Sequence, residues 1–343
     1  MKKTYLIFPV LALLSGACTN PLEPKFDQDA EMIVLNAMLR TDDTVHVAWL
    51  SLSQVDAVER LDDAQLRCYV NGQFVAEGKP AALAQYERVE YSSKYSFRAD
   101  IHPGDEVRVE ASKGLLKASA TARAPQAATL VSVDTSYIKE SPYFKPDEQP
   151  LMSCKLKLQD LPGQPNWYRL SLHHDSDEER YFYHEKRRYA TRFGFLQDPV
   201  LQDGKTPKPK EGHGLDALLP QLDQPHTYCI FRDKPFADGT AEVEIHTPNC
   251  YNSFRGTRWV QDTLTYKPTE VEVYHLMSLE FAFLTITEEE YDYLVQLDKS
   301  LHGNNDMGVF QEPVHVPSNV EGGMGFFSVA AASKYTLLFP ESR

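Results

Sequence analysis

The stretch Leu66-Arg67-Cys68-Tyr69-Val70-Asn71-Gly72-Gln73-Phe74-Val75 decides the fold. Leu66, Cys68 and Val70 fall on every second position, the period of a strand with one face buried. Asn71-Gly72 then supplies two residues that take positive φ at little cost, which closes a tight hairpin, and Phe74-Val75 resumes beyond it. The pattern extends outward in both directions. Met32 to Leu39 is apolar and strand-like, and Val45, Val47 and Trp49 recur at every second position. Tyr95 to Arg98 and Val107 to Val109 continue the period on either side of His102-Pro103-Gly104-Asp105, a turn. Ala118 to Ala124 forms a last strand of small residues. Short strands with turn signals at this spacing predict an immunoglobulin-like β-sandwich over residues 31–124.

Pro125-Gln126-Ala127-Ala128 reads as a linker into a second β-rich domain over residues 129–343. Lys155 to Leu158, Tyr168 to Leu172, Val243 to Ile245 and Val271 to Val273 all alternate apolar with polar. Residues 197–224 are rich in Pro, Gly, Lys and Asp and lack the apolar content to fold alone, so they read as a long loop. One helix is expected near the C-terminus. Thr287 with Glu290 three residues later makes a capping box, Glu288 to Glu290 suit a helix N-terminus, and Tyr291, Leu294, Leu297 and Leu301 form an apolar stripe ended by Gly303. The fold class is therefore mainly β, two domains, with one clear helix.

A chain of 343 residues is long for one core, in keeping with two domains. Its net charge of −14 argues against binding nucleic acid or an anionic membrane by bulk charge. The N-terminus carries an address. Lys2 and Lys3 precede the apolar run Tyr5 to Leu14, then Ser15-Gly16-Ala17 and Cys18, so residues 1–17 read as a signal peptide. The cysteine after small residues resembles a bacterial lipobox, with Ser15 where a leucine is usual, and Cys18 is the expected lipidation site. The apolar run is about half the roughly 20 residues needed to span a bilayer, so a lipid rather than a helix is the expected anchor. Residues 18–30 read as a tether.

The other cysteines are Cys68, Cys154, Cys229 and Cys250. Export permits disulfides, and Cys229 with Cys250 brackets a short hairpin-like segment, the best candidate pair. Cys68, alternating with Leu66 and Val70, reads as a buried and inert thiol. No spacing matches a zinc site, and neither metal nor cofactor is expected.

Candidate sites each admit two readings. Gly322-Gly323-Met324-Gly325 either cradles an anion or lets a strand approach another backbone; without a following Gly-Lys-Ser/Thr the second is favoured. His173-His174-Asp175 offers ligand types for a metal, but adjacent strand residues point to opposite faces, which favours a hydrated edge. Tyr181, Tyr183, Arg187, Arg188, Tyr189 and Arg192 belong to the densest aromatic-cationic run in an acidic chain. They form either a ligand or partner contact or a hairpin with cationic stems over one face. No nucleophile elbow is present, and the thiol–imidazole neighbours Cys229/His226 and Cys250/His246 are unavailable if the cysteines pair. No catalytic residues are assigned.

The C-terminal third carries a resemblance. The helix Thr287 to Leu294 is followed by Pro313-Val314, Ser318-Asn319-Val320 and Gly322-Gly323-Met324-Gly325-Phe326-Phe327. This resembles the ending of a family of Bacteroidota lipoproteins known as domain of unknown function 4249. Asp160-Leu161-Pro162-Gly163 with Asn166 to Leu170 resembles its second recurring element. The resemblance implies an outer-membrane lipoprotein, on the periplasmic face or the cell surface, often encoded beside a TonB-dependent receptor. The expected role is a non-catalytic accessory or binding subunit for such a receptor in nutrient uptake. The alternatives are a glycan- or peptide-hydrolysing surface enzyme and a structural or adhesive protein.

Overall fold

Alternation sets the inward face of several strands in a computed structural model. It describes residues 31–54, 57–83, 91–141, 144, 151–180, 183–190, 193–195, 229–233, 236, 238–248, 256–261, 268–273, 278–302 and 316–338. The first unit contains β1 (Met32–Arg40), β2 (Val45–Ser53), β3 (Val58–Arg60), β4 (Gln65–Val70), β5 (Gln73–Pro80), β6 (Ser93–Arg98), β7 (Glu106–Lys113) and β8 (Leu116–Arg123). The Asn71-Gly72 turn forms as expected, with φ of 50° and 76°. Asn71 also binds the neighbouring turn, accepting from the Glu106 N–H and donating to Asp105. β5 pairs β4 along most of its length and reaches β6 only at Lys79 and Pro80, so it passes from one layer to the other. Ile33, Leu35, Ala48, Leu50, Tyr95 and Phe97 from one layer meet Leu66, Cys68, Val107, Val109, Ala118 and Ala120 from the other. This is a two-layer β-sandwich.

The second unit holds β9 (Thr129–Ile138), β10 (Leu151–Gln159), β11 (Trp167–Arg180), β12 (Tyr183–Ala190), β13 (Gly194–Phe195), β14 (Ile230–Arg232), β15 (Thr240–Pro248), β16 (Gly256–Gln261), β17 (Pro268–Val273) and β18 (Ser278–Ile286). Helix α1 (Glu288–His302) and the last strand, β19 (Met324–Leu338), follow. The sheet β13-β15-β10-β9 packs on β11 and β18 through Cys154, Leu156, Val243 and Ile245 against Tyr168, Leu170, Phe281 and Phe283. The expected linker docks on this unit: Ala128 N–H donates to Thr285 Oγ1 and Leu130 N–H to Ser333 Oγ.

The first and second units share a strand. Residues Val34 to Arg40 of β1 pair in parallel with Met324 to Ala330, and β18 pairs antiparallel with Ala331 to Leu338. A thirteen-stranded sheet thus runs β12-β11-β18-β19-β1-β2-β6-β5-β4-β7-β8, with β14 beside β11 and β3 beside β2. The sequence boundary gives the whole closing segment to the second unit. In the structure Val320, Phe327 and Val329 belong to the first unit's core, because β1 would otherwise present an open edge.

Helix α1 lies on the opposite face of the shared sheet. Tyr291 and Leu294 pack on Ile230, Ala282, Leu284, Ile286 and Ala330, as its apolar stripe requires. Thr287 caps it by accepting from the Glu290 N–H at 3.1 Å. Glu290 does not complete the reciprocal capping box. Its carboxylate is wholly buried and lies 3.2 Å from Nη1 of Arg169.

Candidate functional site

The aromatic-cationic run falls at a sheet edge. Tyr183, Arg187, Arg188 and Tyr189 lie on β12, the outer strand of the large sheet, while Tyr181 and Arg192 lie outside the described residues. Register sets Arg188 opposite Asp175, Lys186 opposite Asp177 and His184 opposite Glu179. Along this register positions of opposite charge face each other at some pairs and Glu178 faces Glu185 at another. His173 and His174 occupy adjacent positions of β11. Among the described residues no group of three or more His, Cys, Asp or Glu side chains is placed to hold a metal ion.

The cysteines are equally plain. Burial pushes both the Cys68 and the Cys229 thiols up to about 12, the range of an unreactive thiol, and Cys154 is buried in the second core. Cys250, the other half of the expected bridge, lies outside the described residues, as does Cys18. Position 229 has φ of 53°, and its carbonyl accepts from the Leu170 N–H.

Both recurring elements of the sequence are built into the frame. Asn166 donates through Nδ2 to Asp160 Oδ1, Leu161 O and Gln164 O, and its N–H donates to Asp233. Tyr168 donates its hydroxyl to the same Asp160 oxygen, and burial with this carboxylate drives the phenol far above its ordinary range. At the closing segment Asn319 clamps Phe327, donating to its carbonyl at 2.7 Å and accepting from its N–H at 2.9 Å. A Cβ on Gly323 would lie 2.4 Å from Ile33 O, and one on Gly325, whose φ is 114°, 2.1 Å from Leu35 O. The glycines admit β19 against β1 and the edge of β8, where Ser119 and Glu321 exchange backbone hydrogen bonds. The close-approach reading of these glycines holds, because neighbouring backbone already fills the space a ligand would need.

A pocket of about 360 Å³ opens beside this closure, on the outward face of β1 and β2. It is lined by Asn36 and Met38 of β1, by Val45, Val47 and Trp49 of β2, by Asp43 between them, and by Tyr293 of α1 and Phe326 of β19. Here the period of two has the opposite sense from a core strand. His46, Ala48 and Leu50 turn inward and are buried, whereas Val45, Val47 and Trp49 face the pocket. Val45 is 46% exposed. Tyr293 stacks on Phe326 at 3.9 Å between ring centroids, and the Lys94 ammonium sits 5.7 Å from the Trp49 ring centroid. Asn36 accepts from the Phe326 N–H through Oδ1. Its Nδ2 and the Trp49 indole N–H have no hydrogen-bond partner among the described residues. His46 places Nε2 3.1 Å from Ala99 O beneath the pocket, and burial lowers its pKa, so it is held neutral.

Sequence reasoning passed over this pocket, since its residues come from three strands, one loop and a helix. One signal was legible: Val45-His46-Val47-Ala48-Trp49-Leu50 carries apolar residues on both alternating faces, more than a strand with one solvated face needs.

A second missed feature lies under α1. The Arg169 guanidinium pairs with Glu290 and its Nη1 lies 3.7 Å from Met38 Sδ, although β18 and β19 separate their strands. The intervening face carries Ala282, Ala330 and Ala332, small enough to leave room for it. Arg232 lies over the Tyr291 ring at 4.9 Å. These contacts seat the helix that carries Tyr293.

A family model described as Domain of unknown function (DUF4249) matches residues 19–336, and the chain belongs to this family. No curated protein matches the chain significantly.

Proposed function

We propose that this DUF4249 member is a lipid-anchored, non-catalytic binding protein of the cell envelope that serves as an accessory to a TonB-dependent outer-membrane receptor. The observation that carries the binding role is the pocket on β1 and β2, where an aromatic lining and unpaired hydrogen-bond donors lie open beside a rigid closure. Its lining holds a single carboxylate among the described residues, Asp43. Two carboxyl groups are the usual equipment of glycoside hydrolysis, so the pocket suits holding better than cleaving. The membrane address rests on the lipobox-like run ending at Cys18. A single acyl chain binds membranes only marginally, so stable residence at the envelope calls for further lipid or a membrane partner.

The test is fractionation followed by affinity purification of the tagged full chain from solubilised membranes. Wild type is expected in the membrane fraction with a TonB-dependent receptor in near-equal amount, and Cys18→Ala is expected in the soluble fraction. Purification without a receptor contradicts the accessory role, and membrane retention of Cys18→Ala contradicts the lipid anchor.

A further inference from the structure

We infer that the pocket on β1 and β2 takes a neutral saccharide of one or two rings; this rests on the binding role proposed above. Four features of the lining select that chemistry. First, the walls and floor combine aromatic and aliphatic surface, Trp49, Tyr293, Met38 and Val47, which matches the C–H faces of a pyranose ring. Second, the open polar groups are of both kinds. Asn36 Nδ2 and the Trp49 indole offer donors, and the Asp43 carboxylate offers acceptors. A hydroxyl both donates and accepts, so a polyol edge satisfies this mixture, which a hydrocarbon leaves unpaired.

Third, a charge of each sign lies at the site, Asp43 in its lining and Lys94 beside Trp49. Asp43 has a side chain 45% exposed and only a distant ion pair, Arg40 Nε at 3.9 Å, so an anionic ring meets a carboxylate. The Lys94 ammonium beside Trp49 opposes a cationic one. A neutral ligand is repelled by neither group. Fourth, about 360 Å³ falls at the small end of ligand pockets, which limits the bound portion to a short saccharide rather than a long chain.

The site is also prepared before the ligand arrives. Tyr293 is fixed by stacking on Phe326, Phe326 is held through its N–H by Asn36, and α1 is seated through Glu290 and Arg169. Fixing the aromatic walls in advance lowers the ordering cost of binding.

The experiment is a titration of the full chain, followed by intrinsic tryptophan fluorescence and calorimetry. The probes are glucose, galactose, N-acetylglucosamine, maltose and cellobiose, with glucuronate and glucosamine as charged counterparts. At least one neutral sugar is expected to bind and to change the fluorescence, with each charged counterpart at least tenfold weaker. Trp49→Phe is expected to abolish the fluorescence change. Trp49→Ala and Asp43→Asn are each expected to weaken binding at least fivefold with an unaltered melting temperature. Asp43→Asn is the milder change and supplies the answer if Trp49→Ala does not fold. Failure of every neutral sugar to bind overturns the inference. So does equal binding of the charged sugars, or undiminished binding by Asp43→Asn. Receptor co-purification is measured without sugar, so an accessory protein with a different ligand stays distinguishable from a protein with no receptor.

Discussion

The closing segment and the pocket beside it are neighbours that share Phe326, yet they are constructed on opposite terms. From Asn319 to Phe327 the backbone is pressed so close to β1 and β8 that its three glycines could not carry a side chain. Asn319 spends both ends of its amide on one residue of the same segment. Across β1, apolar side chains face outward and donors are left open. Backbone and amide groups already engaged inside the protein are not on offer to a ligand. The most recognisable motif of this chain is therefore architecture, and the surface with chemistry to spare lies on strands that carry no motif.

Substitutions can break or sharpen that contrast. The largest effect is expected at Gly325→Ala, which forces a Cβ toward Leu35 O at a φ of 114°. Strain of this kind costs about 3 kcal/mol or more, so urea unfolding should shift strongly, and both units should be affected because β19 runs through both. Independent loss of the second unit alone would refute the shared-strand account.

A smaller effect is expected at His46, and it depends on pH. Burial lowers the folded-state pKa below the ordinary 6.5, so in that window the unfolded chain binds more protons. Stability is thus complete above about pH 6.5 and falls as pH drops toward the folded-state value. His46→Gln, which keeps an N–H for Ala99 O, should flatten this part of the profile in urea titrations from pH 7.5 to 5. An unchanged slope would remove His46 from the explanation.

The smallest effect on stability is expected at the pocket. Trp49→Ala removes a ring that is only half-buried and outside both sandwich cores, so the cost should stay within about 1 kcal/mol. A loss comparable to Gly325→Ala would make Trp49 a structural residue and erase the distinction between the two regions.

Much of the frame was legible because its signals are local. The β4–β5 hairpin follows from Asn71-Gly72, the existence of β1 from its apolar run, and the start of α1 from Thr287 and the acids after it. The pairing of β1 with β19 was not, since nothing near Val34 encodes a partner at Met324. The orientation of β2 was ambiguous because His46 goes inward and Trp49 outward, against their average habits. Glu290 fits a capping box in sequence, but its side chain turns to Arg169, a contact across elements that spacing does not reveal. The pocket depends on all of these long-range pairings at once, whereas the aromatic-cationic run stood out because it is contiguous.

Hydrogen exchange of the full chain, with and without a saturating sugar that binds, tests the central claim most directly. The account predicts slowed exchange over residues 36–49 and in the first turns of α1, with residues 173–190 unchanged. Protection confined to the β11–β12 hairpin would contradict it and return the site to the aromatic-cationic run.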